Sequence, residues 1–114
     1  MNDIMPGDGI ESTAHSIPGW DRPAWAVRGV KDRDELTWTR EASVDVTYLA
    51  GGVEETFPPE LVRTDQVSIG EAGAAVHVGA VVIHFADDAY ATPGEARKLA
   101  AALVELADWA EGKG

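Results

Sequence analysis

The C-terminal segment from residue 92 to residue 110 constrains the fold most, because it has the full pattern of an amphipathic helix. Thr92 can cap its N-terminus, and Pro93 suits the first turn because the N–H that proline lacks would stay unpaired there. Glu95 completes a capping box and opposes the positive end of the helix dipole. The apolar stripe consists of Leu99, Leu103, Leu106 and Ala110, and Glu105, Asp108 and Glu111 fall outside it. We therefore predict one C-terminal helix, whose small residues favour close packing on a sheet.

The run 74–85, shortly before this helix, is almost entirely apolar. Apolar residues on both faces of a strand are typical of a central position that is covered on both sides. Gly79 lies in the middle of the run and indicates a bulge or a close approach of another backbone. We therefore predict one long central strand over 74–85.

The upstream part of the chain shows the period-two alternation of strands, interrupted by turn signals. Gly51 and Gly52 predict a tight hairpin turn, and Pro58 with Pro59 ends the strand that follows it. Residues 60–65 are predicted to be a connection. The predicted strands before the long run are 24–30, 36–40, 44–49, 53–57 and 66–69. Strands first and one helix last predict an α+β fold, an antiparallel sheet of four to six strands with one C-terminal helix packed on a face.

Length and composition predict the domain organisation and the compartment. Residues 1–19 are polar and rich in glycine and proline, which is typical of a flexible N-terminal tail, and residues 20–114 suffice for a single α+β domain. No apolar run approaches the roughly 18 residues of a membrane span, and the N-terminus lacks the pattern of a signal peptide. We therefore predict a cytoplasmic protein with no membrane partner. The absence of cysteine excludes disulfides and thiolate metal sites.

The chain carries a formal net charge of −11, and this charge is unevenly distributed. Residues 22–40 contain five basic and three acidic side chains, whereas from residue 41 onward four basic side chains face thirteen acidic ones. This balance argues against direct binding of nucleic acid, because phosphate groups are neutralised by lysine and arginine. An acidic surface most often keeps a protein soluble; less often it binds basic partners or imitates DNA.

The titratable residues form no recognisable catalytic or metal-binding pattern. His77 and His84 are seven positions apart, so a regular strand would place them on opposite faces. The acidic pairs 54–55 and 87–88 fall at strand or loop ends, where solvated carboxylates are common. The sequence has neither the lysine-containing glycine loop of a phosphate site nor a nucleophile motif. We therefore predict no catalytic residues, no metal and no cofactor, and a protein that is not an enzyme.

Three of the four tryptophans fall in the segment that is rich in arginine. Tryptophan and arginine are enriched at interface hot spots and stack on each other, which favours a partner-binding surface. The alternative is a core of aromatic side chains covered by arginine stems, the more usual role of large aromatics. The predicted partner-binding surface consists of Trp20, Trp25, Arg28, Trp38 and Arg40.

The C-terminal pattern also resembles that of a family of small uncharacterised actinobacterial and actinophage proteins. Residues 87–110 (DDAYATPGEARKLAAALVELADWA) are similar to the end of these proteins, which finish with a strand, a short acidic loop and Thr-Pro-x-Glu-Ala-Arg-x-Leu-Ala-x-Ala-Leu. The positions that fit are Thr92, Pro93, Glu95, Ala96, Arg97, Leu99, Ala100, Ala102 and Leu103. Many members carry cysteines and histidines near their start, whereas residues 20–40 contain none, so the resemblance implies no metal site here. It implies no established activity.

These observations leave three functional hypotheses. The first is a non-enzymatic protein–protein interaction module of phage or accessory-gene origin, which binds through the tryptophan–arginine surface or a sheet edge and can form a homodimer. The second is an acidic DNA mimic, a decoy that inhibits a nucleic-acid-binding protein. The third is a small-molecule binder or enzyme with a pocket between sheet and helix.

Overall fold

The structure is a computed structural model that describes residues 20–113, so the predicted tail 1–19 lies outside the described residues. The described part contains β1 (Arg28–Asp32), β2 (Glu35–Glu41), β3 (Val46–Ala50), β4 (Val53–Phe57), β5 (Glu60–Gly70), β6 (Gly73–His77), β7 (Val82–His84) and α1 (Pro93–Ala110). Strands β1, β2, β5 and β6 are neighbours in that order in a five-stranded sheet, in which β7 also pairs with β5. Strands β3 and β4 form a separate two-stranded sheet. The predicted α+β fold, with its antiparallel sheet and C-terminal helix, is confirmed.

The described chain forms two compact units. The first unit contains the residues up to Arg40 together with Val62–Val81, and the second contains Glu41–Leu61 together with the residues from Val82 onward. The predicted single domain over residues 20–114 stays a prediction. Within residues 20–113, no helix is both long and apolar enough to span a membrane.

Two antiparallel hairpins form the strands of the first unit. In the β1–β2 hairpin Asp32 pairs with Glu35, so the charged segment between these strands is a two-residue turn. Arg33 in this turn has a φ of 57°, which lies in the left-handed region that tight hairpin turns use. In the β5–β6 hairpin Gly70 pairs with Gly73 across a second two-residue turn.

Strand β5 runs for 11 residues and includes the segment 60–65, which the sequence predicts to be a connection. That prediction is wrong because a charged pair occupies inward positions of the strand. Leu61 and Asp65 are buried and Arg63 is half-buried, so every second residue faces inward. With two of these three inward residues charged, the usual apolar alternation of a strand is hidden.

The core of the first unit lies on one face of its sheet. Leu36 and Trp38 of β2 are buried, and so are Trp20 and Trp25 in the segment before β1. Gly29 of β1 is the cross-strand partner of Trp38. Because glycine has no side chain, β1 places no side chain beside Trp38 at this position.

The second unit is built on the β3–β4 hairpin. Gly51 and Gly52 form its turn with φ values of 59° and 79°, which confirms the predicted tight turn, because both central residues of a type I′ turn need positive φ. Tyr48 of β3 is buried, and its ring centroid lies 5.0 Å from that of Phe57. Burial raises the pKa of the Tyr48 hydroxyl, whose oxygen has no hydrogen-bond partner within residues 20–113. Ring packing therefore holds this side chain in place.

Helix α1 begins at the residue that the sequence predicts. Thr92 is the N-cap, and its hydroxyl accepts the N–H of Glu95 at 3.3 Å. The Glu95 carboxylate is directed to β3, where it accepts the N–H of Thr47 at 2.8 Å, and it pairs with Lys98 at 3.0 Å. The Thr47 N–H, and then Lys98, hold the pKa of Glu95 below its usual range. The residue predicted to close a capping box therefore ties the helix to a strand.

Helix α1 packs against β3, and Ala102 and Leu106 are its buried residues. Of the predicted stripe only Leu106 is buried, whereas Leu99 and Leu103 are half-buried and Ala110 is exposed; Ala102 lies outside the predicted stripe. A two-stranded hairpin is about 10 Å wide, roughly the diameter of one helix. Such a narrow surface buries only part of the helix face, at Ala102 and Leu106.

Glu105 takes part in the contact between α1 and the chain before β3, although the sequence places it outside the apolar stripe. Its carboxylate accepts the backbone N–H of Ser43 at 3.0 Å and the Ser43 hydroxyl at 2.9 Å. Glu95 and Glu105 therefore hold both ends of the segment that enters β3.

The prediction of one long central strand over 74–85 is wrong. The run forms two short strands, β6 and β7, and β6 lies at the end of the strand order. Val78 and Val81, which lie between these strands, are 53% and 42% exposed. An apolar sequence is compatible with a buried strand, but the strand is buried only if another element of the fold packs over it. The close backbone approach predicted at Gly79 is confirmed, because a Cβ there would overlap the carbonyl oxygen of Thr64.

Substitution of Gly79 tests this close approach. Gly79→Ala is expected to lower the free energy of unfolding by about 1–3 kcal/mol, because the added methyl group must displace the backbone of β5. Gly70→Ala is the matched control, since no atom lies within 4 Å of a Cβ at that position. Urea denaturation of the two variants measures the difference. Equal stability of the two variants would contradict the close approach.

Candidate functional site

A cluster of N–H donors surrounds the carboxylate of Asp65, whose residue has 0% exposure to solvent. Its Oδ2 accepts the indole N–H of Trp20 at 2.9 Å and that of Trp38 at 3.0 Å. Arg63 donates from Nε to Oδ1 at 2.9 Å and from Nη2 to Oδ2 at 2.7 Å. The backbone N–H of Gly79 reaches Oδ1 at 3.1 Å. Five N–H groups therefore converge on one buried carboxylate.

Four segments of the chain bring these groups together. Arg63 and Asp65 are two positions apart in β5, so their side chains lie on the same face of the sheet. Trp38 comes from β2, the strand beside β5, and Trp20 comes from the segment before β1. Gly79 follows β6, and its missing Cβ lets its backbone approach β5.

Hydrogen bonding outweighs burial at Asp65. Burial alone would raise the pKa of the carboxyl group, because it disfavours the charged form. The hydrogen bonds from Arg63, Trp20, Gly79 and Trp38 act in the opposite direction, and together they hold the pKa below its usual range. The buried carboxylate is therefore ionised, and it is compensated by one guanidinium and three neutral donors.

This arrangement gives Asp65 a structural role. A carboxylate has about four lone-pair sites, and five N–H contacts leave none to accept a proton from a substrate. His77 and His84, the histidines of the long apolar run, are exposed. In the part of the chain that the structure describes, no group of three or more His, Asp or Glu side chains converges to hold a metal ion.

The structure divides the predicted partner-binding residues between the interior and the surface. Trp20, Trp25 and Trp38 are 3%, 6% and 0% exposed, as in the alternative that assigns large aromatics to the core. Arg28 is exposed, and Arg40 is half-buried with its Nη1 donating to the carbonyl of Trp25 at 3.1 Å. The three indoles are therefore not part of an exposed surface, and partner binding through the arginines stays a prediction.

Sequence reasoning missed Arg63 and Asp65. The sequence does contain a signal, because Leu61, Arg63, Asp65 and Val67 follow one another at every second position. The two residues of opposite charge therefore share a strand face with an apolar residue on either side. Two charged groups at inward positions of a strand need partners, and an indole N–H is a donor that tryptophan brings into a core. The sequence does not show which strand supplies those donors.

Among residues 20–113, no strand pairs with the outer side of β6, which leaves a sheet edge that we call the β6 edge and define as Gly73–His77. The pair that flanks the two-residue turn, Gly70 and Gly73, is hydrogen-bonded, and hydrogen-bonded and non-hydrogen-bonded pairs alternate from there along the hairpin. Ala74 and Val76 belong to the non-hydrogen-bonded pairs. Their N–H and C=O groups therefore point away from β5. Residues 72–81 contain no Asp, Glu, Lys or Arg.

Comparison of the chain with protein-family models, curated proteins and solved structures gives no match. The resemblance of residues 87–110 to the small actinobacterial and actinophage proteins stays a prediction.

Neutralising Asp65 tests the cluster. Asp65→Asn is expected to lower the free energy of unfolding by about 3–5 kcal/mol, because it leaves Arg63 without its carboxylate and turns an amide N–H₂ toward other donors. Asp32→Asn makes the same chemical change at an exposed position and is expected to stay within about 0.5 kcal/mol of wild type. Urea denaturation measures both. A loss below about 1 kcal/mol for Asp65→Asn would contradict a buried ion pair.

The depressed pKa of Asp65 also predicts a dependence on pH. The unfolded chain takes up the proton near the ordinary pKa of about 3.9, whereas the folded chain does so only at a lower pH. The stabilisation is therefore fully present above the ordinary pKa and is lost as pH falls through the folded value. The stability difference between wild type and Asp65→Asn is expected to stay constant from about pH 7 to 5 and to shrink below about pH 4. A difference that grows in acid would reverse the sign and refute this assignment.

Proposed function

We propose that this protein is a non-enzymatic interaction module that binds an extended segment of a partner protein along the β6 edge. The observation that supports the proposal is an edge strand without charged side chains. Exposed edges present unpaired N–H and C=O groups, and natural proteins usually protect them with charge, proline or a bulge. An edge without such protection is suited to pairing with another strand.

Strand β1, at the opposite end of the strand order from β6, provides a comparison within this chain. Its five residues include Arg28, Lys31 and Asp32. Strand β6 has the sequence GAAVH and carries no such charge. Protection of β1 and not of β6 favours β6 as the binding edge.

The net charge favours a particular kind of partner. A second copy of the chain would carry the same net charge of −11, so the two copies would repel each other. An extended apolar segment of a protein with net positive charge would instead be attracted by the chain as a whole. The proposed partner is therefore a different, basic protein, and an origin in a phage or accessory gene is supported by the C-terminal resemblance alone.

A matched pair of lysine variants tests the β6 edge. Ser68 on β5 and Ala75 on β6 are direct cross-strand partners and both are exposed, so they differ mainly in their distance from the edge. Ala75→Lys is expected to weaken capture of the partner from host lysate about tenfold or more, because it repels a basic segment at the edge. Ser68→Lys is expected to leave capture unchanged.

A proline variant tests the backbone contact separately. Ala74→Pro removes an N–H that points away from β5, a position at which edge strands tolerate proline. It is expected to abolish capture while the near-ultraviolet circular dichroism of the fold is retained. Capture that survives both Ala75→Lys and Ala74→Pro would overturn the proposal. If that capture were also lost at high salt, the acidic decoy would be favoured, and a dimer seen by sedimentation and lost in Ala74→Pro would assign the edge to a second copy.

A further inference from the structure

The second unit contains a small cleft of about 240 Å³ that lies outside the β6 edge. Phe57 and Phe85 give it aromatic walls, and Glu55, Asp87 and His84 give it polar groups. None of its lining residues belongs to α1, so it differs from the pocket between sheet and helix that the sequence suggests.

The chain holds the two sides of this cleft together through the hairpin. Glu55 and Phe57 are two positions apart in β4, so both side chains lie on one face. The opposite side is the segment after β7, and its far end is fixed by two backbone hydrogen bonds between Leu49 and Tyr90, at 2.8 and 2.9 Å. Asp88 in this segment has a φ of 50°, a left-handed conformation that aspartate tolerates better than most residues.

The electrostatics of the cleft favour a positive ligand. Within residues 20–113, neither Glu55 nor Asp87 forms an ion pair. The second unit as a whole contains eleven acidic side chains and three basic ones. A cation that enters the cleft would meet two carboxylates and no lysine or arginine side chain, whereas an anion would be repelled.

Size and chemistry restrict the cation further. Sites for drug-sized ligands begin at about 300 Å³, so this cleft suits a group of only a few heavy atoms. The side chains that the structure describes do not converge into a metal site. An ammonium group can donate to the carboxylates, and the methylene groups behind it can lie against Phe57 and Phe85.

We propose that this cleft binds an alkylammonium group, held between the carboxylates of Glu55 and Asp87 with its alkyl chain against Phe57 and Phe85. The same chemistry is found in a free aliphatic amine and in the lysine side chain of a protein. Binding at this cleft does not depend on the β6 edge, because its lining residues all belong to the second unit.

Titration of the folded protein with pentylammonium, followed by ¹H–¹⁵N NMR, tests the site. Saturable shifts are expected at the amides of Glu55, Phe57, Phe85 and Asp87. Pentanol has the same alkyl chain without the charge and is expected to bind at least about fivefold more weakly. Equal affinity for the two compounds would show that the ammonium group is not recognised and would overturn the proposal. The absence of saturable shifts would overturn it as well.

Neighbouring acids supply matched controls. Glu55→Gln and Asp87→Asn are each expected to weaken binding about two- to fivefold, the effect of losing one exposed charge pair. Glu54→Gln and Asp88→Asn remove the same charge at adjacent positions that do not line the cleft, and they are expected to change affinity little. Equal weakening by all four variants would show attraction to the general negative field and would refute a specific site.

Two further measurements separate the possible sources and the two proposals. A blocked tripeptide with a central lysine that binds more tightly than pentylammonium would assign the cleft to a protein side chain, whereas weaker binding would assign it to a free amine. Ala75→Lys is expected to leave pentylammonium affinity unchanged, so failure of the β6 edge proposal and failure of the cleft proposal are distinguishable.

Discussion

The ionised carboxylate of Asp65 is the interaction on which the first unit depends. A carboxylate without solvent is costly unless donors replace its water, and here two indoles, a guanidinium and a backbone N–H do so. This requirement explains why Trp20 and Trp38 lie in the interior. It also explains why the chain at Gly79 lies so close to β5, and the break between β6 and β7 falls at this contact.

Carboxylates perform a related role in the second unit, where Glu95 and Glu105 accept backbone N–H groups of Thr47 and Ser43. Part of the negative charge of this chain therefore belongs to its architecture and not to a binding surface. Glu55 and Asp87 differ, because they line a cleft and form no ion pair within residues 20–113. The proposed amine site uses these two carboxylates, which have no ion-pair partner in the described part of the chain.

Local chemistry was predictable from the sequence, and long-range pairing was not. The start of α1 at Thr92 and the turn at Gly51 and Gly52 follow from hydroxyl capping and positive φ, which need only neighbouring residues. The Asp65 cluster joins residues up to 45 positions apart, and a charged pair at inward positions of β5 hides the strand. The run 74–85 gave the opposite error, a buried strand predicted where none exists. Its hydrophobicity predicts a covered central strand, whereas β6 lies at an edge of the sheet.

Hydrogen exchange of the indole N–H groups of Trp20 and Trp38, followed by NMR, tests whether the buried Asp65 carboxylate holds the first unit together. If both groups donate to a buried carboxylate, they are expected to exchange only through global unfolding and at the same free energy as the most protected backbone amides. Exchange of either group at the rate of a solvent-exposed indole would contradict this role of Asp65, because at least one donor would then not be bound to the carboxylate. The β6 edge and the amine cleft would stand as separate proposals, but the explanation of the first unit would fall.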